Sequence, residues 1–264
     1  MTELWKPTRT SRLWKRGDPA GLPMNGLVAL YDPYRDAYGL TPEQRALLQT
    51  AKDYSGHGNT LTYGATTNAS TDDPTNTGTA WSFDGGDYLR TTAVIPVADN
   101  TPFCGFVIAK YADDASHGVL VSLNTGSDWG VADKGFWLSK SGSTKKINFY
   151  NYKADATYTT TSSLAVSDFS KPHLVFFGWD GANAVLGLDN NALVTTACAT
   201  SIANPQITQR LTLGTYTWGV SGALVGEINH FALFPTRFLG TAERTRAKLY
   251  LKGLMAQRGL TPSW

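Results

Sequence analysis

The chain contains a strongly apolar stretch at His173–Trp179. Leu174 and Phe176 point to one face of an extended strand, and Val175 and Phe177 point to the other, so both faces are apolar. A strand of this kind must be covered on both sides. The segment therefore predicts a central strand in a layered β-structure.

Turn-forming residues follow this strand and separate it from two more. Asp180–Asn183 contains aspartate, glycine and asparagine, and Asp189–Asn191 contains residues that tolerate positive φ. The apolar runs after these two turns are Ala184–Leu188 and Ala192–Ala199. The whole stretch predicts an antiparallel meander.

Short apolar runs separated by polar turns recur along most of the chain, which is the pattern of many short strands. The other predicted strands are Gly26–Asp32, Pro102–Ala112, His117–Asn124, Gly135–Ser141, Lys146–Lys153, Arg210–Thr217 and Leu224–Pro235.

Two segments predict helices. Thr41–Ala51 begins with a threonine N-cap, followed by Pro42 at the first helical position and Gln44 at the capping-box position. Thr241–Arg258 begins with another threonine and ends before Gly259. Its predicted apolar stripe consists of Leu249, Leu251, Leu254 and Met255.

Composition is compatible with this pattern and excludes several classes of protein. Hydrophobic residues make up 42% of the chain, enough for a packed core, and charged residues only 17%. A net charge of +2 argues against a nucleic-acid partner. No apolar run approaches the roughly 20 residues of a membrane span, and the basic start of the chain lacks the apolar segment of a signal peptide.

The two cysteines, Cys104 and Cys198, both lie inside apolar, strand-like runs. Buried free thiols are the expected state, with a disulfide as the alternative.

Residues 1–25 differ from the rest, because they have no helix or strand period, three prolines, and five basic residues against two acidic ones. Two buried tryptophans would contribute roughly 5 kcal/mol each, whereas ordering some 20 residues costs about 20–40 kcal/mol. Backbone hydrogen bonds to the protein's own domain or to another chain must supply the remaining free energy. We predict a basic, extended arm that docks on a partner protein, with an arm wrapped on its own domain as the alternative. The predicted partner-binding residues are Leu4, Trp5, Lys6, Arg9, Arg12, Leu13, Trp14, Lys15 and Arg16.

Several motifs occur in a distinctive order after this arm. Asp53, Ser55, Gly56 and Asn59 form Asp-x-Ser-Gly-x-x-Asn; Phe83, Asp84, Gly85, Asp87 and Tyr88 form Phe-Asp-Gly-x-Asp-Tyr; the His173 meander and the strand GEINHFALFP follow. This order resembles laminin-G-like (concanavalin A-like) jelly-roll domains of the phage and bacterial structural type, over Gly26–Leu260. The second Asp-Gly of that family is Asp189-Asn190 here, which keeps the turn and loses the glycine.

The resemblance implies an all-β, concanavalin A-like jelly-roll sandwich of two antiparallel sheets, spanning 26–264. It also raises the question of catalysis, since the same sandwich carries glucanases with Glu-x-Asp-x-x-Glu on one strand. Here Glu227 is the only glutamate in a predicted strand, and Asn229 stands where the aspartate would be. His173 is where the family has a structural histidine. The sequence therefore predicts a protein that is not an enzyme.

Binding sites are less clearly marked. Because laminin-G-like domains often hold calcium, Asp113, Asp114, Asp128 and Asp133 are candidate ligands, with solvated loop carboxylates as the simpler interpretation. Sugar binding requires exposed aromatic residues with polar neighbours. The candidates are Trp129, Trp137, Tyr150, Tyr152 and Trp218.

The function that the resemblance and the arm favour is that of a virion structural protein of a tailed phage, made in the host cytoplasm, decorating the capsid or forming part of the tail. Its partners would then be other virion proteins in a symmetric assembly. The alternative is a lectin-like module that recognises a glycan of the host surface.

Overall fold

A computed structural model of the protein describes residues 22–65, 70–98, 100–111, 117–124, 135–153, 157–163, 165–166, 168–199, 210–216 and 222–264. Sixteen strands and three helices lie in these residues. The strands are β1 (Ala29–Tyr31), β2 (Thr50–Ala51), β3 (Leu61–Tyr63), β4 (Thr75–Asn76), β5 (Trp81–Asp84), β6 (Leu89–Thr91), β7 (Phe103–Tyr111), β8 (Gly118–Asn124), β9 (Gly135–Ser141), β10 (Lys146–Tyr152), β11 (Tyr158–Ser162), β12 (His173–Trp179), β13 (Asn183–Leu188), β14 (Val194–Ala197), β15 (Thr212–Leu213) and β16 (Val225–Phe234). The helices are α1 (Pro33–Asp36), α2 (Pro42–Ala46) and α3 (Thr241–Gln257).

The strands form two antiparallel sheets. The first has the order β14-β13-β12-β7-β16-β5-β4, with β1 also paired to β16, and the second has the order β11-β10-β9-β8-β15-β6-β3-β2. Strands that are distant in sequence, such as β7 and β16, are neighbours in space. The predicted all-β jelly-roll sandwich is confirmed.

The main core lies between the two sheets. Phe103 and Phe177 of the first sheet meet Phe136 and Phe149 of the second, with ring centroids 5.0 Å apart for Phe103–Phe136 and 5.6 Å apart for Phe149–Phe177. All four side chains are buried. Full burial of each such side chain contributes about 1.5–3 kcal/mol, so this contact holds the sheets together.

A second apolar cluster lies on the outer face of the first sheet, under α3. Leu251 and Met255 of the helix are fully buried there, together with Phe106 of β7 and Phe234 of β16. The first sheet is therefore covered on both faces. This explains why β12 is apolar on both faces, and its predicted bounds, His173–Trp179, are confirmed.

The two turns of the predicted meander are also confirmed. Gly181 has φ +108° and Asp189 has φ +53°, both in the left-handed region. The Asp180 carboxylate accepts hydrogen bonds from the backbone N–H groups of Ala182 (2.9 Å) and Asn183 (2.8 Å), which fixes the first turn.

Several predicted bounds need correction. The first helix ends at Ala46, although its Thr41–Gln44 capping box is present. Thr50–Ala51 instead forms a strand that pairs with β3, which gives its backbone groups hydrogen-bond partners. The predicted strand Arg210–Thr217 is confined to β15 in the described part of the chain.

The predicted stripe of the C-terminal helix is partly wrong. Leu249 is 66% exposed, and its place on the buried face is taken by Ala247 and Tyr250. Gly240, rather than Thr241, is the N-cap residue, and its backbone N–H donates to the Glu243 carboxylate at 3.1 Å.

The two cysteines lie on opposite sides of the first sheet. Cys104 belongs to the cluster under α3 and Cys198 to the core between the sheets, and both are buried thiols with no disulfide between them. Burial raises the pKa of the Cys104 thiol to about 12, so this group stays protonated at neutral pH.

Candidate functional site

The outer face of the second sheet carries a group of aromatic side chains. Because Phe136 and Phe149 point into the core, the alternation along β9 and β10 places Trp137, Tyr150 and Tyr152 on the opposite face. Together with Tyr158 of β11 and Tyr216, these residues form what we call the aromatic cluster.

The rings of the aromatic cluster pack closely. Trp137 and Tyr150 are directly paired across β9 and β10, and their rings are nearly parallel, with centroids 4.4 Å apart and an interplanar angle of 11°. Tyr158 meets Tyr150 edge to face at 5.7 Å and lies 5.8 Å from Trp137. Such pairs contribute about 0.5–1.5 kcal/mol beyond area burial, so the rings hold one another in place.

Exposure separates the members of the cluster into a buried base and an open margin. Trp137 is 1% exposed and Tyr152 is 2% exposed, so these two predicted sugar-binding residues do not present a free ring surface. Tyr150 is half-buried and Tyr158 is 45% exposed. Trp129 and Trp218, the other two sugar-binding candidates, lie outside the described residues.

Polar side chains continue this margin along β10 and β11. The register pairs Tyr150 with Thr160 and Asn148 with Ser162. We refer to the outward-facing residues of the two strands, apart from the buried Tyr152, as the β10–β11 ladder, which consists of Lys146, Asn148, Tyr150, Tyr158, Thr160 and Ser162. None of these six is fully buried, whereas the alternating Ile147, Phe149, Thr159 and Thr161 are.

The hydroxyl of Tyr150 is a neutral hydrogen-bonding group. Burial and the nearby Tyr158 raise its pKa, while the hydrogen bond from the Asn148 amide, 3.4 Å long, acts in the opposite direction. At neutral pH the ladder therefore presents a phenol that can both donate and accept.

Sequence reasoning missed Tyr158. The segment β11, YTTTS, is polar on both faces and has no apolar period to mark it as a strand. Its run of three β-branched threonines, Thr159–Thr161, is the signal that could have identified it.

His173 has the contacts of a structural residue. Its Nε2 faces the Asp168 carbonyl oxygen at 2.7 Å, and its Nδ1 lies 2.7 Å from the Asp189 carboxylate and 2.8 Å from the Ser263 hydroxyl. In a Ser-His-Asp triad the serine and the aspartate bind different ring nitrogens, whereas both contact Nδ1 here. The residue borders a polar cavity of about 340 Å³ that is also lined by Lys171.

Within the part of the chain that the structure describes, the other candidate residues do not assemble into a reactive or metal-binding group. Glu227 forms an ion pair with Lys110 at 3.0 Å. Among the described residues, no cluster of three or more histidine, cysteine, aspartate or glutamate side chains could hold a metal ion. The calcium candidates Asp113, Asp114, Asp128 and Asp133 lie outside the described residues.

The predicted partner-binding residues of the arm, Leu4 to Arg16, also lie outside the part of the chain that the structure describes. Leu22, the first residue that the structure describes, is buried in the cluster under α3, and Met24 packs against the same cluster. In the described residues, no helix is long and apolar enough to cross a membrane.

No known protein family and no curated protein matches the chain. Solved structures do. The binding domain of botulinum neurotoxin DC in complex with SialylT has a TM-score of 0.56 and 9% identity, over 87% of this chain and 52% of that one. Domain 4 of AbnA, an extracellular arabinanase from Geobacillus stearothermophilus, in complex with arabinotriose, has a TM-score of 0.58 and 12% identity, over 85% and 98%. Trypanosoma rangeli sialidase in complex with sialic acid has a TM-score of 0.55 and 13% identity, over 89% and 34%.

The chain thus spans about half of the toxin domain, about a third of the sialidase and nearly all of the arabinanase domain. At these identities the likeness establishes the fold alone. The protein has the β-sandwich architecture that these carbohydrate-associated proteins share.

Proposed function

We propose that the protein is a non-enzymatic carbohydrate-binding module and that the β10–β11 ladder receives the sugar. The observation that carries this proposal is the exposed ring of Tyr158, which meets the Tyr150 ring edge to face. The polar side chains of Thr160 and Asn148 follow further along the same face of the two strands.

The aromatic and polar groups of this ladder are chemically complementary to a sugar. A pyranose or furanose ring has an apolar C–H surface that packs on an aromatic ring, and hydroxyl groups that need donors and acceptors at the rim. Tyr158 offers the first, and Asn148, Thr160 and the Tyr150 hydroxyl offer the second. Because Tyr150 is stacked on buried Trp137, little side-chain entropy remains to be lost on binding.

The comparisons support the same class of ligand. The similar toxin domain, arabinanase domain and sialidase are each described in complex with SialylT, arabinotriose or sialic acid. The sequence favoured a virion structural role and kept carbohydrate recognition as the alternative; the structural likeness supports the alternative better. The virion location and the docking role of residues 1–25 stay predictions.

Replacing the exposed ring tests the proposal. Tyr158→Ala is expected to weaken binding to a glycan selected from an array by about tenfold, or 1.4 kcal/mol, because the sugar loses its stacking surface. Tyr150→Ala is expected to act in the same direction. Isothermal titration calorimetry with the selected oligosaccharide measures both.

Tyr38→Ala is the matched control, since Tyr38 is 57% exposed and belongs to the segment after α1 rather than to the ladder. It should bind like the wild type. If the array gives no glycan ligand, or if Tyr158→Ala binds like Tyr38→Ala, the proposed site is wrong.

A further inference from the structure

The half of the second sheet that carries the ladder has an unusual charge composition. Described residues 117–124, 135–153 and 157–163, which supply β8 to β11, contain no aspartate or glutamate. They contain the lysines Lys140, Lys145, Lys146 and Lys153. The acidic residues of the intervening loops, Asp128, Asp133 and Asp155, lie outside the described residues.

These lysines are not equivalent. Lys140 is buried, with its ammonium group 5.3 Å from the centroid of the Phe169 ring. Lys145 and Lys146 lie where the chain turns from β9 into β10, at one end of the ladder. Lys146 alternates with buried Ile147 and therefore lies on the same outer face as Asn148 and Tyr150.

The ladder thus changes in character along its length. At a rise of about 3.4 Å per residue, Lys146 and Tyr150 are about 14 Å apart along β10, with Asn148 midway. One end is aromatic, the middle offers an amide and hydroxyl groups, and the other end is cationic. A short oligosaccharide lying along the strand would contact all three parts.

The charge composition selects among such oligosaccharides. A carboxylate on the protein would repel an acidic sugar and serve as an acceptor for the hydroxyls of a neutral one, but the described residues of this surface have none. Lysine side chains attract an anionic ligand and pair with its acidic group.

We propose, as an extension that rests on the proposed function, that the ligand is an acidic oligosaccharide. One sugar ring packs on Tyr158 and Tyr150, and a carboxylate or sulfate group two or three sugar units away pairs with Lys146. The two sources of the negative charge share this chemistry and are distinguished by experiment.

The test uses pairs of glycans that differ only in charge. An oligogalacturonide is compared with its fully methyl-esterified form, and a sulfated oligosaccharide with its desulfated form, by titration calorimetry at low and moderate salt. We expect one acidic form to bind at least tenfold more tightly than its neutral counterpart, with an advantage that shrinks as salt rises. The pair that shows this advantage identifies the acidic group.

Lys146→Gln should remove most of that advantage, so that the charged and neutral forms bind this variant with similar affinities. Lys146→Arg should retain the advantage, which shows that the charge matters rather than the fold of the variant. Lys252→Gln, at an exposed lysine of α3, is the matched control and should bind like the wild type.

The outcomes separate this inference from the proposed function. Equal affinity for charged and neutral forms, with Tyr158→Ala still weakening both, overturns the acidic ligand and leaves carbohydrate binding intact. Binding of neither form overturns both. Polyglutamate that binds as tightly as the acidic glycans overturns the acidic-sugar assignment, because charge alone would then explain the affinity.

Discussion

At the scale of single residues, the groups that matter most are polar side chains inside the fold. His173 is the clearest example, because the Asp189 carboxylate and the Asp168 carbonyl oxygen each accept a hydrogen bond and cannot donate one. With a proton on each ring nitrogen, His173 donates a hydrogen bond to both groups. Burial acts to lower the pKa of His173, but these two hydrogen bonds outweigh it and raise the pKa above the usual 6.5.

This geometry predicts a specific pH dependence. A raised pKa in the folded state means that the stabilisation by His173 is fully present below its unfolded-state pKa, about 6.5, and is lost as pH rises through the folded-state value. The difference in free energy of unfolding between wild type and His173→Asn should therefore be largest below about pH 6.5. It should shrink as pH rises from there through the folded-state pKa of His173. Urea titrations at a series of pH values measure it.

Subtracting the stability of His173→Asn from that of the wild type cancels the opposing contribution of His230, which both proteins contain. Burial lowers the pKa of His230 to about 4, so that residue destabilises the fold as pH falls below about 6.5. An NMR titration that gave His173 a pKa at or below 6.5 would contradict the assignment.

Gly181 offers a second test at this scale. Its φ of +108° is strained for any residue with a Cβ, although the nearest atom to such a Cβ, Cγ of Pro102, is 3.8 Å away. Gly181→Ala should therefore destabilise the protein by about 1–3 kcal/mol through backbone strain alone.

Gly253 of α3 is the control for this substitution, because its φ is not in the left-handed region and nothing lies within 4 Å of an added Cβ. Gly253→Ala should raise the stability by up to about 1 kcal/mol, from helix propensity. Guanidinium denaturation of the two variants measures both effects. If Gly181→Ala raises the free energy of unfolding as Gly253→Ala does, the residue at position 181 is not held in a strained turn conformation.

At the scale of elements, α3 is fixed to the sandwich at its C-terminal end by a buried ion pair. Arg258, the C-cap residue, places its guanidinium 2.6 Å from the Asp32 carboxylate between β1 and α1. Both side chains are almost fully buried, and the guanidinium also lies 4.7 Å from the centroid of the Tyr34 ring. The pair connects residues that are 226 positions apart in sequence.

Removing Arg258 should leave the buried Asp32 carboxylate with only a longer contact to Arg35, at 3.8 Å. Arg258→Ala is expected to lower the free energy of unfolding by about 3–5 kcal/mol. Arg246→Ala, at an exposed position of the same helix, should change it by no more than about 0.5 kcal/mol. Thermal or chemical denaturation of both variants distinguishes them, and similar stabilities would mean that the ion pair is not what anchors the helix.

At the scale of the whole molecule, the architecture could be predicted better than the site. The bounds of His173–Trp179 and Gly135–Ser141 follow from local apolar patterns and turn residues. The burial of Trp137 could not be predicted, because outward-facing residues of a sheet look alike in sequence whether or not they are covered. The Asp32–Arg258 pair carries no local signal either, since it depends on which elements the fold brings together.

Hydrolysis of a sugar would require catalytic groups that the described residues of the proposed site lack. A glycosidase needs two carboxyl groups, about 5–5.5 Å or about 6.5–9.5 Å apart, on either side of the bond that is cleaved. Glu227 is paired with Lys110, and the residue two positions further, Asn229, is an amide buried in β16. The β10–β11 ladder has no carboxylate to act as acid or nucleophile. We therefore expect no reducing ends to be released from any oligosaccharide that binds, over hours and at micromolar protein, and Glu227→Gln to behave like the wild type. Sustained turnover that this substitution abolishes would show that the protein is a hydrolase.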